Sequence, residues 1–123
     1  MTSSPVSSRR LPLASAVSLT SYVRGRPKDA LYVRKEAKDH GTRKLVEGDK
    51  SLSPGTRVAL LEDVITTGGS SLKAVEKLRA AGATVVGIVA LVDRLEGGAD
   101  TIREAGLPLV SICTRRDFLP DPA

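Results

Sequence analysis

Three continuous apolar runs, separated by segments with helical spacing, constrain the fold of this chain most. The runs span residues 58–61, 85–92 and 107–113. A run without polar alternation is typical of a strand that is buried on both faces. Between them, apolar residues recur at helical spacing over 72–81, and a shorter helix fits 99–105. Strands and helices that alternate at these lengths predict right-handed crossovers and an α/β fold with a parallel sheet.

The part of the chain before these runs is less regular. Residues 1–10 are rich in serine and show no periodicity, which predicts a loose tail. A short helix is expected to begin near Pro12, and a strand is expected over 30–33. The polar stretch 35–52 predicts a long loop, or a loop with a short hairpin. We therefore expect one domain over 11–123, a length that suits a single core.

The composition excludes several classes of function. Aromatic residues make up only 2% of the chain, which argues against a surface that stacks nucleic-acid bases. The single cysteine, Cys113, excludes an intrachain disulfide framework, and the single histidine, His40, excludes a histidine-based metal cluster. No apolar run is long enough to cross a bilayer, and residues 1–10 lack the apolar stretch of a signal peptide. We therefore expect a cytoplasmic protein without membrane or nucleic-acid partners.

The excess of positive over negative charge belongs to the first part of the chain. Residues 1–50 carry a net charge of +6 and residues 51–123 a net charge of −1. The densest basic stretch spans 34–44 and contains Arg34, Lys35, Lys38, Arg43 and Lys44. Such a stretch suits phosphate groups or nucleic acid, although a basic run is more often a solvated loop.

An acidic pair and a glycine-rich loop follow the first buried strand. Glu62 and Asp63 come where the apolar run ends, and residues 66–70 lead into the predicted helix. Ligands of parallel α/β sheets bind at the carboxyl ends of strands, and a glycine loop at a helix N-terminus can bind phosphate. An ordinary strand-to-helix loop could have the same composition. The acidic pair favours a site, because carboxylates beside a phosphate can bind sugar hydroxyls or a metal.

Three segments resemble those of the orotate phosphoribosyltransferases. Residues 60–71, LLEDVITTGGSS, resemble the signature that binds phosphoribosyl pyrophosphate. Residues 33–42, VRKEAKDHGT, resemble the mobile catalytic loop of that family, and residues 92–98, VDRLEGG, resemble its orotate-contacting segment. The three segments occur in the family order within residues 11–118. The resemblance implies a type I phosphoribosyltransferase fold, with a parallel twisted sheet flanked by helices.

The start of the chain departs from that family. Its members carry a substantial N-terminal region, which supplies a strand and a hood over the substrates. Here the corresponding place is taken by residues 1–10, MTSSPVSSRR. We therefore expect the N-terminal strand and the hood to be missing.

The resemblance also implies a role for each segment. Phosphoribosyl pyrophosphate would contact Arg34, Lys35, Lys38, His40, Glu62, Asp63, Val64, Ile65, Thr66, Thr67, Gly68, Gly69 and Ser70. Within this set, the basic residues would hold the pyrophosphate, the acidic pair the ribose hydroxyls, and residues 66–70 the 5′-phosphate. Thr66 and Arg94 would contact orotate, with Arg94 facing its carboxylate. Arg94 could instead merely pair with Asp93 or Glu96.

The implied activity is transfer of the phosphoribosyl group to orotate, which gives orotidine 5′-phosphate and pyrophosphate in pyrimidine biosynthesis. Lys38, His40 and Asp63 would be the catalytic residues. Lys38 and His40 would stabilise the negative charge on the departing pyrophosphate, and Asp63 the positive charge on the ribose. Mg²⁺ would bind pyrophosphate and ribose oxygens, without a dedicated protein site. The loop 35–52 would reach the neighbouring subunit of a homodimer. The alternative is a truncated, non-catalytic module that binds phosphoribosyl pyrophosphate or regulates another protein.

Overall fold

The structure is a computed structural model that describes residues 2–6, 11–34, 46–47 and 53–118. The strands are β1 (Thr2–Val6), β2 (Ala30–Arg34), β3 (Val46–Glu47), β4 (Arg57–Ile65), β5 (Thr84–Asp93) and β6 (Leu109–Thr114). The helices are α1 (Leu11–Val23), α2 (Gly69–Ala80) and α3 (Gly98–Glu104), and a 3₁₀ turn follows β6 at Arg115–Asp117.

These strands form one sheet in the order β3-β2-β1-β4-β5-β6. Strands β2, β1, β4, β5 and β6 pair in parallel, and β3 pairs with β2 in the antiparallel direction. Their parallel direction brings the carboxyl ends of β2, β4, β5 and β6 to one edge of the sheet. The expected parallel α/β fold flanked by helices is therefore confirmed.

The core lies between the sheet and the helices α2 and α3. Its members share almost complete burial and include Leu31, Leu60, Leu78, Ile88 and Ile102. Helix α1 packs against the opposite face, where the hydroxyls of Ser15 and Tyr32 lie 2.6 Å apart. Tyr32 alternates along β2 with Leu31, and alternating side chains of a strand point to opposite faces.

The structure differs from the sequence expectations at two places. The prediction of a loose tail over 1–10 is wrong for Thr2–Val6, which form β1 and pair with β2 and β4. Polar residues enter this strand because neighbouring strands offer backbone N–H and C=O groups that require partners. The strand expected over 58–61 also extends to Ile65, since its pairing with β5 continues to Asp93.

The remaining elements agree with their predictions to within a few residues. The helix expected near Pro12 is α1, and the strand expected over 30–33 is β2. In the polar stretch 35–52, the two described residues form β3, as a short hairpin requires. The other residues of that stretch lie outside the described part of the chain. No helix in the described residues has the length and apolar character of a membrane span.

Leu60 offers a test of this core. Its side chain is 0% exposed, whereas the side chain of Leu19 on α1 is 67% exposed. We expect Leu60→Ala to lower the free energy of unfolding by about 2–5 kcal/mol, because a buried cavity replaces the lost contacts. Leu19→Ala should change it by less than about 0.5 kcal/mol. Urea unfolding of both variants measures the difference, and equal losses would contradict the described burial.

Candidate functional site

The candidate site lies at the carboxyl ends of two neighbouring strands. Ile65 at the end of β4 is in register with Asp93 at the end of β5. Residues 66–68 connect β4 to α2, and residues 94–97 connect β5 to α3. Because the strands are adjacent and parallel, these two connections leave the sheet side by side. This placement agrees with the usual ligand position in parallel α/β folds.

The two carboxylates of the acidic pair lie in different surroundings. Glu62 is 1% exposed, and its Oε1 accepts a hydrogen bond of 3.1 Å from the Ser71 hydroxyl of α2. Asp63 is half-buried, and its Oδ1 accepts a bond of 2.8 Å from the Val64 N–H. Successive side chains of a strand point to opposite faces. The structure therefore does not bring the two carboxylates together, and Asp63 is the more accessible of them.

The glycine loop has the backbone geometry of a helix N-terminus that can bind an anion. Gly68 precedes α2 with φ +88°, a left-handed conformation that favours glycine. The first hydrogen bond of the helix runs from the Leu72 N–H to the Gly68 carbonyl, at 3.1 Å. The N–H groups of residues 69–71 come before that bond, and such groups can bind phosphate.

The side chains of this segment differ in exposure. The hydroxyl-bearing Thr66, Thr67 and Ser70 are exposed, as a phosphate cradle requires. Val64 is 38% exposed, whereas Ile65 is 1% exposed and belongs to the core. A direct ligand contact through the Ile65 side chain is therefore not possible in this conformation.

Arg94 lies beside the glycine loop, on the connection after β5. Its side chain is 56% exposed, and its Nε lies 3.4 Å from Glu96 Oε2. The pairing with Glu96, one of the alternatives for this arginine, is therefore present. An exposed ion pair contributes at most about 1 kcal/mol. A ligand carboxylate can consequently replace Glu96 at the guanidinium at little cost.

The turn that carries Arg94 is held by Asp93. The Asp93 side chain is 5% exposed, and its Oδ1 accepts a hydrogen bond of 2.9 Å from the Leu95 N–H. Leu95 has φ +59°, which is uncommon outside glycine. Asp93 is the last residue of β5. Its buried carboxylate therefore supports the backbone conformation that follows Arg94.

Sequence reasoning included Gly98 in the segment 92–98 but gave it no role of its own. Gly98 begins α3, is buried, and donates its N–H to the Thr66 carbonyl at 3.0 Å. A Cβ atom at this position would lie 2.5 Å from the Thr66 carbonyl oxygen. The adjacent glycines at 97 and 98 indicated a possible close approach of another segment. The sequence alone does not say which segment that is.

Most of the basic residues expected at the site lie outside the described part of the chain. Arg34 ends β2, which is separated from β4 by β1. Lys35, Lys38 and His40 lie outside the described residues. The structure thus brings the glycine loop and the Arg94 connection together, and the assignment of the basic loop remains a prediction.

Ser71 offers a test of how Glu62 is held. Ser71→Ala removes the hydroxyl that donates to the buried carboxylate, so we expect the free energy of unfolding to fall by about 1–3 kcal/mol. Ser70→Ala, at the exposed neighbouring position, should change it by less than about 0.5 kcal/mol. Chemical denaturation of both variants measures this difference. A Ser71→Ala variant as stable as Ser70→Ala would show that the hydrogen bond contributes nothing.

Comparison with known proteins agrees with this geometry. Residues 11–104 match the model of the phosphoribosyl transferase domain family. An orotate phosphoribosyltransferase from Sorangium cellulosum is 78% identical over 110 residues, which cover 89% of this chain and 57% of that protein. The one from Aquifex aeolicus is 48% identical over 108 residues, which cover 88% of this chain and 58% of that protein.

A solved structure shares the fold as well. The orotate phosphoribosyltransferase of Mycobacterium tuberculosis, in complex with 5-phospho-alpha-D-ribosyl 1-diphosphate, superposes with a TM-score of 0.77 at 35% identity. The match covers 96% of this chain and 64% of that one. This chain therefore spans about three-fifths of the length of these relatives. On these findings, the chain belongs to the phosphoribosyltransferase domain family.

Proposed function

We propose that this protein transfers the phosphoribosyl group of phosphoribosyl pyrophosphate to orotate. The products are orotidine 5′-phosphate and pyrophosphate, in the route to pyrimidine nucleotides. The observation that carries the proposal is the contact between the glycine loop 66–68 and the connection that bears Arg94, formed through the Gly98 N–H and the Thr66 carbonyl. A phosphate cradle and a cation for a carboxylate thereby stand next to each other, as the two substrates require. The relatives named above support the choice of orotate.

The phosphoribosyl group would bind at the end of β4. Residues 66–70 would hold the 5′-phosphate through the N–H groups at the start of α2 and through the exposed hydroxyls. Asp63 would accept hydrogen bonds from the ribose hydroxyls, because its carboxylate is partly open to solvent. Glu62 would take part only after its side chain turns away from Ser71.

Orotate would bind between Thr66 and Arg94. A guanidinium can hold a carboxylate with two parallel hydrogen bonds, which fixes both the position and the orientation of the ligand. The Arg94 N–H donates to the Ile65 carbonyl at 3.0 Å, so the backbone of Arg94 lies next to the residue before Thr66. The planar ring would therefore lie close to the ribose end of the site.

The chemistry would follow from the charges that surround the reacting bond. When the bond between C1′ and the pyrophosphate oxygen breaks, its electron pair leaves with pyrophosphate, and positive charge develops on the ribose until a ring nitrogen of orotate supplies the electron pair of the new bond to C1′. Asp63 near the ribose would stabilise that positive charge. Arg34, Lys35, Lys38 and His40 would stabilise the leaving group, and Lys38 or His40 would donate a proton to it. Closure of the loop 35–52 would exclude water from the reaction.

Magnesium would accompany the pyrophosphate. Among the described residues, no three His, Cys, Asp or Glu side chains group into a metal site. Mg²⁺ typically keeps several waters and binds one or two carboxylates together with substrate phosphates. Asp63, half-buried at the strand end, fits such a role. When bound, the ion would neutralise charge on the pyrophosphate.

Two further parts of the proposal rest on the sequence expectations. The loop 35–52 would reach over the site of the neighbouring subunit, so the active form would be a homodimer. The protein would act in the cytoplasm.

A turnover assay of the 123-residue chain tests the proposal. With orotate, phosphoribosyl pyrophosphate and Mg²⁺ supplied, we expect the orotate absorbance to fall as the product forms. Lys38→Ala should lower turnover by about 100-fold or more, since general acid catalysis typically contributes that much. Its circular dichroism should remain unchanged. A folded chain that binds phosphoribosyl pyrophosphate without turnover would favour the non-catalytic module, and an active Lys38→Ala variant would contradict the loop assignment.

Arg94→Ala tests the orotate contact separately. We expect the KM for orotate to rise by about 10- to 100-fold, the cost of losing a hydrogen bond to a charged group. The KM for phosphoribosyl pyrophosphate should change by less than about twofold, because the substitution leaves residues 66–70, which would hold its 5′-phosphate, unchanged. Arg103→Ala, at an exposed position of α3, is the matched control and should leave both values unchanged. Equal weakening of both substrates would exclude the carboxylate role of Arg94.

A further inference from the structure

We propose that Gly98 is a positioning residue that docks the phosphate loop onto the Arg94 connection, so that a ligand bound at either loop strengthens binding at the other. The phosphate loop here means residues 66–68, and the Arg94 connection means residues 94–98. The identity of the ligands rests on the proposed function. The docking of the two loops does not, because it is a property of the folded chain.

The first observation is the closeness of the two backbones. A Cβ atom at Gly98 would lie 2.5 Å from the Thr66 carbonyl oxygen, 2.6 Å from Ile65 Cγ2 and 3.0 Å from the Gly68 nitrogen. A Cβ atom at Gly68 would lie 3.0 Å from the Gly98 carbonyl oxygen. Each loop therefore needs a glycine where it meets the other. A side chain at position 98 would force the two loops apart, since three different atoms stand in its way.

The second observation is a pair of hydrogen bonds that joins both ends of the Arg94 connection to β4 and its loop. The Arg94 N–H donates to the Ile65 carbonyl, and the Gly98 N–H donates to the Thr66 carbonyl, each at 3.0 Å. Two successive carbonyl groups thus hold both ends of a five-residue segment. The loop 66–68 cannot shift without changing the position of Arg94.

The third observation is that the Arg94 connection is itself constrained. Leu95 holds a left-handed conformation at φ +59°, and its N–H is bonded to the buried Asp93 carboxylate. A non-glycine residue adopts such a conformation only where its surroundings impose it. The connection therefore moves as a unit with the phosphate loop, instead of absorbing a displacement by bending.

A joint unit of this kind couples the two binding events. Because the two loops are in contact, the motion that remains in one is shared by the other, and the first ligand to bind restricts it for both. The second ligand then binds more tightly, and the effect is reciprocal by thermodynamic linkage. The coupling needs no large conformational change, because the loops are already in contact.

The test compares Gly98→Ala with Gly106→Ala. Gly106 follows the same helix and has φ +84°, but a Cβ atom there meets nothing within 4 Å. Gly106→Ala therefore introduces backbone strain without separating the loops, and it controls for a general loss of stability. Hydrogen exchange of the Arg94 amide, four residues from the substitution, reports the docking without any ligand. We expect Gly98→Ala to speed this exchange by about tenfold or more relative to Gly106→Ala.

Ligand binding completes the test. The Kd for orotate is measured by calorimetry with and without saturating ribose 5-phosphate, which would bind at the end of β4 and leave the Arg94 guanidinium free for orotate. We expect ribose 5-phosphate to tighten orotate binding by about tenfold in the wild type and in Gly106→Ala, within the usual range of coupling. In Gly98→Ala the tightening should fall below about twofold.

Each outcome decides between the possibilities. Unchanged exchange at Arg94, or full coupling in Gly98→Ala, would overturn the role of Gly98. If Gly98→Ala does not fold, the wild type still decides the coupling: ribose 5-phosphate must slow the exchange of the Arg94 amide, and unchanged exchange would overturn the coupling. If the wild type binds neither ligand, the proposed function and the coupling both fail, while the exchange rates still decide the docking.

Discussion

The parallel pairing of β4 with β5 is the interaction on which the candidate site depends. It sets Ile65 opposite Asp93, and the two connections that follow therefore begin side by side. Buried apolar residues of the core stabilise this pairing. They include Leu60 and Ile88, which are in register. Because register in a buried sheet is strongly specified by which side chains face the core, the position of the site follows from the packing of the core.

The contact between the connections depends in turn on the absence of side chains. Gly68 and Gly98 let two backbones approach to a distance that a Cβ atom would prevent. The phosphate loop and the Arg94 connection are thus parts of one structure, although those glycines are 30 positions apart in the sequence. Backbone packing thereby brings the glycine loop next to the turn that carries Arg94.

The acidic pair shows how far a motif can be interpreted from sequence. The motif predicted a site at the carboxyl end of β4, and residues 62–70 do lie at that edge of the sheet. The motif did not predict that Glu62 is buried against Ser71 while Asp63 is partly open. Two adjacent residues of a strand point to opposite faces, so the extension of β4 through both carboxylates separates them. The sequence pattern predicted that β4 ends too early. Polar residues interrupt an apolar pattern even where the backbone pairing of a strand continues.

The sequence by itself determined the order of helices and strands from β2 onward, the parallel α/β class, and the place of the glycine loop before α2. These features depend on local periodicity and on the conformational freedom of glycine. Both are properties of residues that are close together in the sequence. Only the tertiary structure decided that Thr2–Val6 pair between β2 and β4, that the two carboxylates diverge, and that Gly98 meets Thr66. Each of these depends on which distant segments become neighbours, and that is settled by burial and backbone hydrogen bonding across the whole sheet.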